Sequence, residues 1–249
     1  MRDIKPLKPL ALKAIAFTLA ETLIVIGIIG VVSALTLPNL NSSTGDKERV
    51  AKVKKIYQNL QDAFGRAEAV YGPYETWIKS TDDTPAKKSK RIGERVVEFM
   101  KVSKNCNTET GKGCFSSSNV LELYSGNTES TSLDNFNSTY KFITADGTSV
   151  AIALNTIIVD IDGPTKGKNV LGNDIFRFMI NDNNGILPLG SPECFDEPAD
   201  DLIFELIGLD GEYCACWILR YDNADYLKLD SSGKCPNGTT PTDENPRCK

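Results

Sequence analysis

The sequence predicts an α+β protein in which a long N-terminal hydrophobic helix continues into an amphipathic helix and packs on an antiparallel β-sheet stabilised by disulfides. Between residues 14 and 37 only Glu21 is charged. Between residues 50 and 71 apolar residues recur every three or four positions, and from about residue 140 they alternate. All seven cysteines lie after residue 100, which is typical of an exported, disulfide-bonded domain.

The composition narrows the possible functions. The chain of 249 residues has no histidine, which excludes Ser-His-Asp and Cys-His catalysis and histidine-rich zinc sites. It has no phosphate-binding, dinucleotide-binding or nucleophile-elbow motif. The net charge of −5, without a long basic run, gives no reason to expect a nucleic-acid partner. We therefore expect no enzyme, and no cofactor other than a structural calcium ion.

The first 37 residues predict a membrane-inserted N-terminus. Basic residues dominate positions 1–13, so this end is expected to stay cytoplasmic and the C-terminal domain to lie outside the cytoplasm. As a helix, residues 14–37 would extend about 36 Å, enough for a bilayer core of about 30 Å. Two ordinary interpretations are a signal peptide cut after Val32-Ser33-Ala34 and a plain signal anchor. Neither explains Glu21, since an acid in a membrane helix costs a few kcal/mol.

A third interpretation accounts for Glu21. The sequence Phe17-Thr18-Leu19-Ala20-Glu21, preceded by Ala16 and followed by a long apolar run, resembles the class III signal of type IV pilins and pseudopilins. The resemblance implies cleavage between Ala16 and Phe17 by a membrane aspartyl peptidase and N-methylation of Phe17. Glu21 then becomes the fifth residue of the mature chain, where the family places its acid, and Pro38 the twenty-second, where the family often has a helix-kinking proline. The family usually has glycine at the position of Ala16.

The same resemblance implies a function in assembly. The new ammonium at Phe17, with a pKa near 8, would pair with Glu21 on its own or a neighbouring chain. The chain would be a pilin or minor pilin: single-pass in the cell membrane, then part of an extracellular or periplasmic filament. Its partners would be other pilin subunits, the prepilin peptidase and the inner-membrane assembly machinery. One alternative is a type II secretion pseudopilin; another, of a different class, is a membrane-anchored surface binding protein that never polymerises.

The chain after residue 37 divides into a helical segment and a globular domain. Pro38 predicts a kink or break, and residues 39–45 predict a loop. A second helix is expected from Asp46 and Glu48, ending at Gly72-Pro73. The predicted units are therefore a leader at 1–16, a filament-core helix at 17–38, an amphipathic helix at 39–72 and a pilin-like globular domain at 73–249. The buried face of the amphipathic helix is Val50, Val53, Tyr57, Leu60, Phe64, Ala67 and Tyr71.

The globular domain is expected to begin with a charged loop at 80–90 and a short amphipathic helix around Ile92 and Val96. Strands then follow at 140–144, 150–154, 157–161, 175–180 and 186–187, the first two joined by an Asp146-Gly147 turn. A further strand is expected at 213–221.

The cysteines predict disulfides over metal sites. Cys106 and Cys114 enclose a short polar loop, which favours a local bridge. On a strand, Cys214 and Cys216 would face the same side and would not pair with each other. Cys194 would pair with one of them, taken here as Cys214. Cys216 would then be the odd thiol. A metal cluster using Cys214 and Cys216 is the alternative. A disulfide between Cys235 and Cys248 would constrain the C-terminal tail, similar to the disulfide loop near the C-terminus of many pilins.

Residues 159–176 are rich in acids and glycines. Asp160, Asp162 and Asp174 have the oxygen ligands that Ca²⁺ prefers, although the spacing does not match an EF-hand. The segment also resembles a C-terminal stretch of pilin-like proteins, some of which bind calcium in a nearby loop. The alternative is a surface turn in which aspartates hydrogen-bond to nearby backbone amides.

Overall fold

The computed structural model describes residues 19–79, 83–123, 127–128, 132–181, 185–190, 211–242 and 244–248, with the main chain alone described at 33–43. The chain forms two compact units, residues 1–44 and 45–249. The helices are α1 (Leu19–Tyr71), α2 (Glu75–Ile78), α3 (Pro85–Val97) and α4 (Cys214–Tyr221). The strands are β1 (Val102–Asn107), β2 (Tyr140–Thr144), β3 (Ser149–Ala153), β4 (Thr156–Asp160), β5 (Ile175–Asn181) and β6 (Gly185–Pro188).

Helix α1 is one continuous element, and this corrects part of the prediction. The loop expected at 39–45 and the helix start expected at Asp46 are wrong, because α1 is helical throughout Leu19–Tyr71. Pro38 lacks a backbone N–H donor, but a long helix can continue past such a position. Whether Pro38 kinks α1 stays a prediction.

Among the residues that the structure describes, no helix is both long enough and apolar enough to cross a membrane. The span expected at 14–37 reaches beyond the described side chains at both ends, so it stays a prediction.

The part of α1 within residues 45–71 supplies one wall of the main core. Val53, Leu60, Ala63 and Ala67 are fully buried, and Tyr57 stacks on Phe178 of β5 with ring centroids 5.8 Å apart. The predicted buried face is confirmed except at its end, since Tyr71 is 37% exposed. The predicted helix end is also confirmed: Gly72 follows α1 with φ +81°, a conformation that glycine adopts without strain.

The six strands form one antiparallel sheet in the order of the chain, β1 to β6. The strands expected from 140 to 187 are confirmed, as is the turn at Asp146-Gly147, where Gly147 has φ +91°. Strand β1 was not predicted. It is an edge strand with two register irregularities and mostly exposed side chains, so it lacks the apolar alternation of a half-buried strand.

Both faces of the sheet are covered. On one face, Val150, Ile152 and Ile157 share a core with residues of α1, α3 and α4. On the other face, Ala151 and Ile158 pack with residues from segment 106–136. Because neighbouring residues of a strand point to opposite faces, covering both faces buries consecutive residues of β3 and β4.

The segment predicted as a strand at 213–221 is helix α4. Five consecutive residues, 214–218, are buried, and such an apolar run does not distinguish a buried strand from a buried helix. The change of element also changes the cysteines. Two residues apart on a helix are separated by about 200°, so Cys214 and Cys216 do not share a face.

The disulfides confirm two predictions and correct a third. Cys106 is bonded to Cys114 and Cys235 to Cys248. Cys216, predicted as the odd thiol, is disulfide-bonded, and its partner lies outside the described residues, as does Cys194. Cys214, predicted to be bridged, is instead a buried thiol. A side chain on Gly172 would approach its sulfur to 2.5 Å, so this thiol is packed directly against backbone.

Candidate functional site

The first described turns of α1 carry the predicted assembly residue. Glu21 lies in the first turn, where the positive end of the helix dipole favours an acid. Every described side chain from residue 19 to 32 is exposed. The large apolar residues among them are 53 to 78% exposed: Leu19, Leu23, Ile24, Val25, Ile26, Ile28, Ile29, Val31 and Val32. Continuous apolar exposure of this kind marks a surface that contacts a membrane or a protein.

The predicted cleavage site precedes these turns. Ala16 and Phe17 lie outside the described residues, so the cut between them and the pairing of the Phe17 amine with Glu21 stay predictions.

The acidic segment 160–174 is organised by backbone hydrogen bonds. The carboxylate of Asp174 accepts from the amides of Lys168, Asn169 and Val170 at 2.5 to 2.8 Å. Asp160 Oδ1 accepts from the amides of Asp162 and Gly163 at 3.0 and 2.9 Å. The local hydrogen bonds expected of the turn are therefore confirmed for Asp160 and Asp174, but the expected surface position is wrong, because both side chains are buried.

The third acid is used differently. Asp162 forms an ion pair with Lys52 of α1 at 2.9 Å. Within the described parts of the chain, no three acidic or cysteine side chains are grouped to hold a metal ion. The structure thus does not assemble the calcium set predicted from Asp160, Asp162 and Asp174, nor a metal cluster around Cys214 and Cys216.

Asp160 is the most perturbed acid of this segment. Burial raises the pKa of Asp160 to about 7, with a contribution from the negative charges of Asp174 and Asp162, and the two amides at its Oδ1 oppose the shift. Its Oδ2 has no hydrogen-bond partner among the described residues. The same holds for the hydroxyl of Ser149, which is paired with Asp160 across β3 and β4. Sequence patterns do not reveal this pair, because it depends on strand register.

The second unit also contains a groove of about 430 Å³, here called the α1 groove. It lies between the outer side of α1, the segment after α3 and the β2–β3 turn. Its lining residues are Lys55, Asn59, Asp62, Arg66, Phe99, Met100, Lys101, Thr144, Ala145 and Asp146. No sequence pattern indicates this site, because three distant segments form it.

One carboxylate of the α1 groove is strongly held. Burial would raise the pKa of Asp146, but hydrogen bonds from Lys55 and Thr144 outweigh that effect and hold the pKa at about 2. The Lys55–Asp146 ion pair measures 2.7 Å and the Thr144 hydroxyl lies 2.5 Å from Asp146 Oδ1. The β2–β3 turn is therefore fixed to α1.

Comparisons of the chain with protein-family models, with curated proteins and with solved structures find no match.

Proposed function

We propose that this chain is a structural subunit of a type IV pilus or related filament, processed at Ala16–Phe17 and assembled through the N-terminal part of α1. The observation that carries the proposal is the exposed apolar surface of residues 19–32 with one acid, Glu21, in its first turn.

The charge pattern supports assembly over simple anchoring. A helix that only anchors a domain gains no more from an acid in its first turn than the weak helix-dipole interaction, and the acid has a larger cost in lipid. An acid that meets an ammonium on a neighbouring subunit is neutralised only when the subunits are in register. Glu21 would therefore act as an assembly residue, and Phe17 would provide the ammonium.

The globular part suits the same role. Its α+β domain has a six-stranded sheet and two disulfides among the described residues, and disulfides persist outside the reducing cytoplasm. In this proposal the pilin-like domain faces the exterior while the apolar surface of α1 is covered first by lipid and then by other subunits.

The first test is the N-terminus of the mature protein, measured by mass spectrometry on membrane and sheared-filament fractions. The proposal expects a chain that starts at methylated Phe17. A start at Leu35 would indicate an ordinary secreted protein, and a start at Met1 an uncut anchor; either result would remove the assembly argument.

A second test separates a filament subunit from a membrane-anchored binding protein. Glu21→Ala is expected to abolish incorporation into filaments while export, measured as domain exposed to external protease, continues. Glu48→Ala is the control, because Glu48 is an exposed acid on the same helix that pairs with Lys52. If Glu21→Ala leaves filament incorporation unchanged, the non-polymerising binding protein becomes the better proposal.

A type II secretion pseudopilin would pass both tests, and only deletion of the secretion or pilus machinery would distinguish it.

A further inference from the structure

The α1 groove is built before any ligand arrives. The amide of Ala145 donates to the carbonyl of Lys101 at 2.8 Å, which joins the β2–β3 turn to the segment after α3. The Lys55–Asp146 ion pair joins the same turn to α1. Three walls are thus linked to one another, so binding would require little rearrangement of the main chain.

The lining of the α1 groove has more positive than negative side chains. Both of its carboxylates are engaged: Asp146 by Lys55, and Asp62 by Arg66 at a longer 3.6 Å. The ammonium of Lys101 has no hydrogen-bond or ion-pair partner among the described residues. The groove therefore presents one uncompensated positive charge, and Arg66 has donors to share.

Part of the lining of the α1 groove is apolar. Phe99 and Met100 are partly buried and pack against the main core. The guanidinium of Arg66 lies over the ring of Phe99, 5.0 Å from its centroid, so a cation and an apolar surface are side by side. Such a combination suits a ligand that has an anionic group on an apolar body.

We propose that the α1 groove binds a small amphipathic carboxylate, with the carboxylate at Lys101 and Arg66 and the apolar body on Phe99 and Met100. A volume of about 430 Å³ is within the range of small-molecule sites and too small to enclose a folded partner. Every residue that it uses belongs to the second unit, and none belongs to the N-terminal segment through which assembly is proposed.

The test is a titration of the full chain in lipid nanodiscs with 4-fluorophenylacetate, followed by ¹⁹F NMR, with empty nanodiscs as the blank. The acid is expected to bind at least about tenfold more tightly than 4-fluorophenylacetamide, which has the same ring without the charge. Lys101→Gln should reduce that difference, because Arg66 alone would then hold the carboxylate. Lys47→Gln, which changes an exposed lysine of α1 outside the groove, should change affinity less than about twofold.

Three results would overturn the proposal: equal binding of acid and amide, tighter binding of 4-fluorophenethylamine than of the acid, or acid binding that Lys101→Gln leaves unchanged. An unchanged unfolding midpoint of Lys101→Gln shows that lost binding is not lost folding.

A carboxylate on an apolar body occurs in free acids and at peptide C-termini. N-acetyl-Leu-Phe distinguishes the sources: tighter binding than 4-fluorophenylacetate assigns the site to a peptide end, and weaker binding assigns it to a free acid.

Discussion

Asp160 makes the stability of the protein depend on pH. Because its pKa rises to about 7 from the ordinary 3.8, the folded state binds a proton that the unfolded state releases between those values. The stabilisation that the protonated Asp160 carboxyl gives is therefore fully present below about pH 4 and is lost above pH 7. Between these values the free energy of unfolding falls by about 1.4 kcal/mol per pH unit.

Asp160→Asn is expected to raise the free energy of unfolding at pH 8 and to flatten its decline between pH 4 and 7. The asparagine oxygen can still accept the amides of Asp162 and Gly163, so the turn should persist. The free energy of unfolding at each pH is measured by urea unfolding, followed by the fluorescence of the two buried tryptophans, Trp77 and Trp217. Asp62→Asn is the control, since the side chain of Asp62 is 67% exposed. An unchanged pH slope in Asp160→Asn would contradict the assignment.

At this scale the sequence predicts local chemistry better than tertiary partners. The hydrogen bonds of Asp160 and Asp174 are predicted because aspartate side chains commonly accept hydrogen bonds from nearby backbone amides. The position of Ser149 opposite Asp160 follows from the register of β3 and β4, which no local pattern of side chains defines.

At the scale of elements, the approach of α3 to the sheet depends on one glycine. A Cβ on Gly93 would lie 2.1 Å from the ring of Tyr140, a buried residue of β2. Gly93→Ala should therefore destabilise the fold by about 1–3 kcal/mol, although alanine is the better helix former.

Gly65 provides the matched control for Gly93, since it also lies in a helix, but a Cβ there would meet no described atom within 4 Å. Gly65→Ala should stabilise the protein by about 0.5–1 kcal/mol. Opposite signs for the two variants in urea unfolding are the expected result, and equal signs would show that α3 does not pack on β2 this closely.

Strand β6 is protected at its open edge by a side chain. The amide of Gln61 donates to the carbonyl of Ile186 at 2.6 Å, and its oxygen accepts from the Ile186 amide at 3.1 Å. Gln61 thus satisfies the groups that another strand would otherwise pair with. Gln61→Leu is expected to cost about 1–3 kcal/mol and to increase aggregation, measured by urea unfolding and light scattering. Gln58→Leu, at an exposed glutamine of α1, should change stability by less than about 0.5 kcal/mol.

The elements that the sequence did not predict share a physical cause. Helix α4 is buried over five consecutive residues, so its apolar run has no period to measure. Strand β1 is exposed over most of its length, so it has almost no apolar run at all. The strands between them were predicted because each has apolar residues flanked by turn residues, as at Asp146-Gly147.

At the scale of the whole molecule, the sequence predicts the α+β class and the order of the main elements. It does not predict the α1 groove, since α1, the segment after α3 and the β2–β3 turn are far apart in the chain. It also assigns the odd thiol to Cys216 when Cys214 is the thiol, because a strand at 213–221 would place both sulfurs on one face and gives no basis for choosing between them.

The main core predicts which part of the chain can fold alone. Among the described side chains, the first core residue is Val50, and the exposed apolar residues 19–32 contribute none. A fragment of residues 45–249 should therefore be soluble and monomeric and should unfold cooperatively, with the Cys106–Cys114 and Cys235–Cys248 bridges intact. Size-exclusion chromatography with light scattering, circular-dichroism melting and disulfide mapping measure these properties. A fragment that aggregates or melts without a transition would mean that residues 1–44 are needed for folding rather than for assembly.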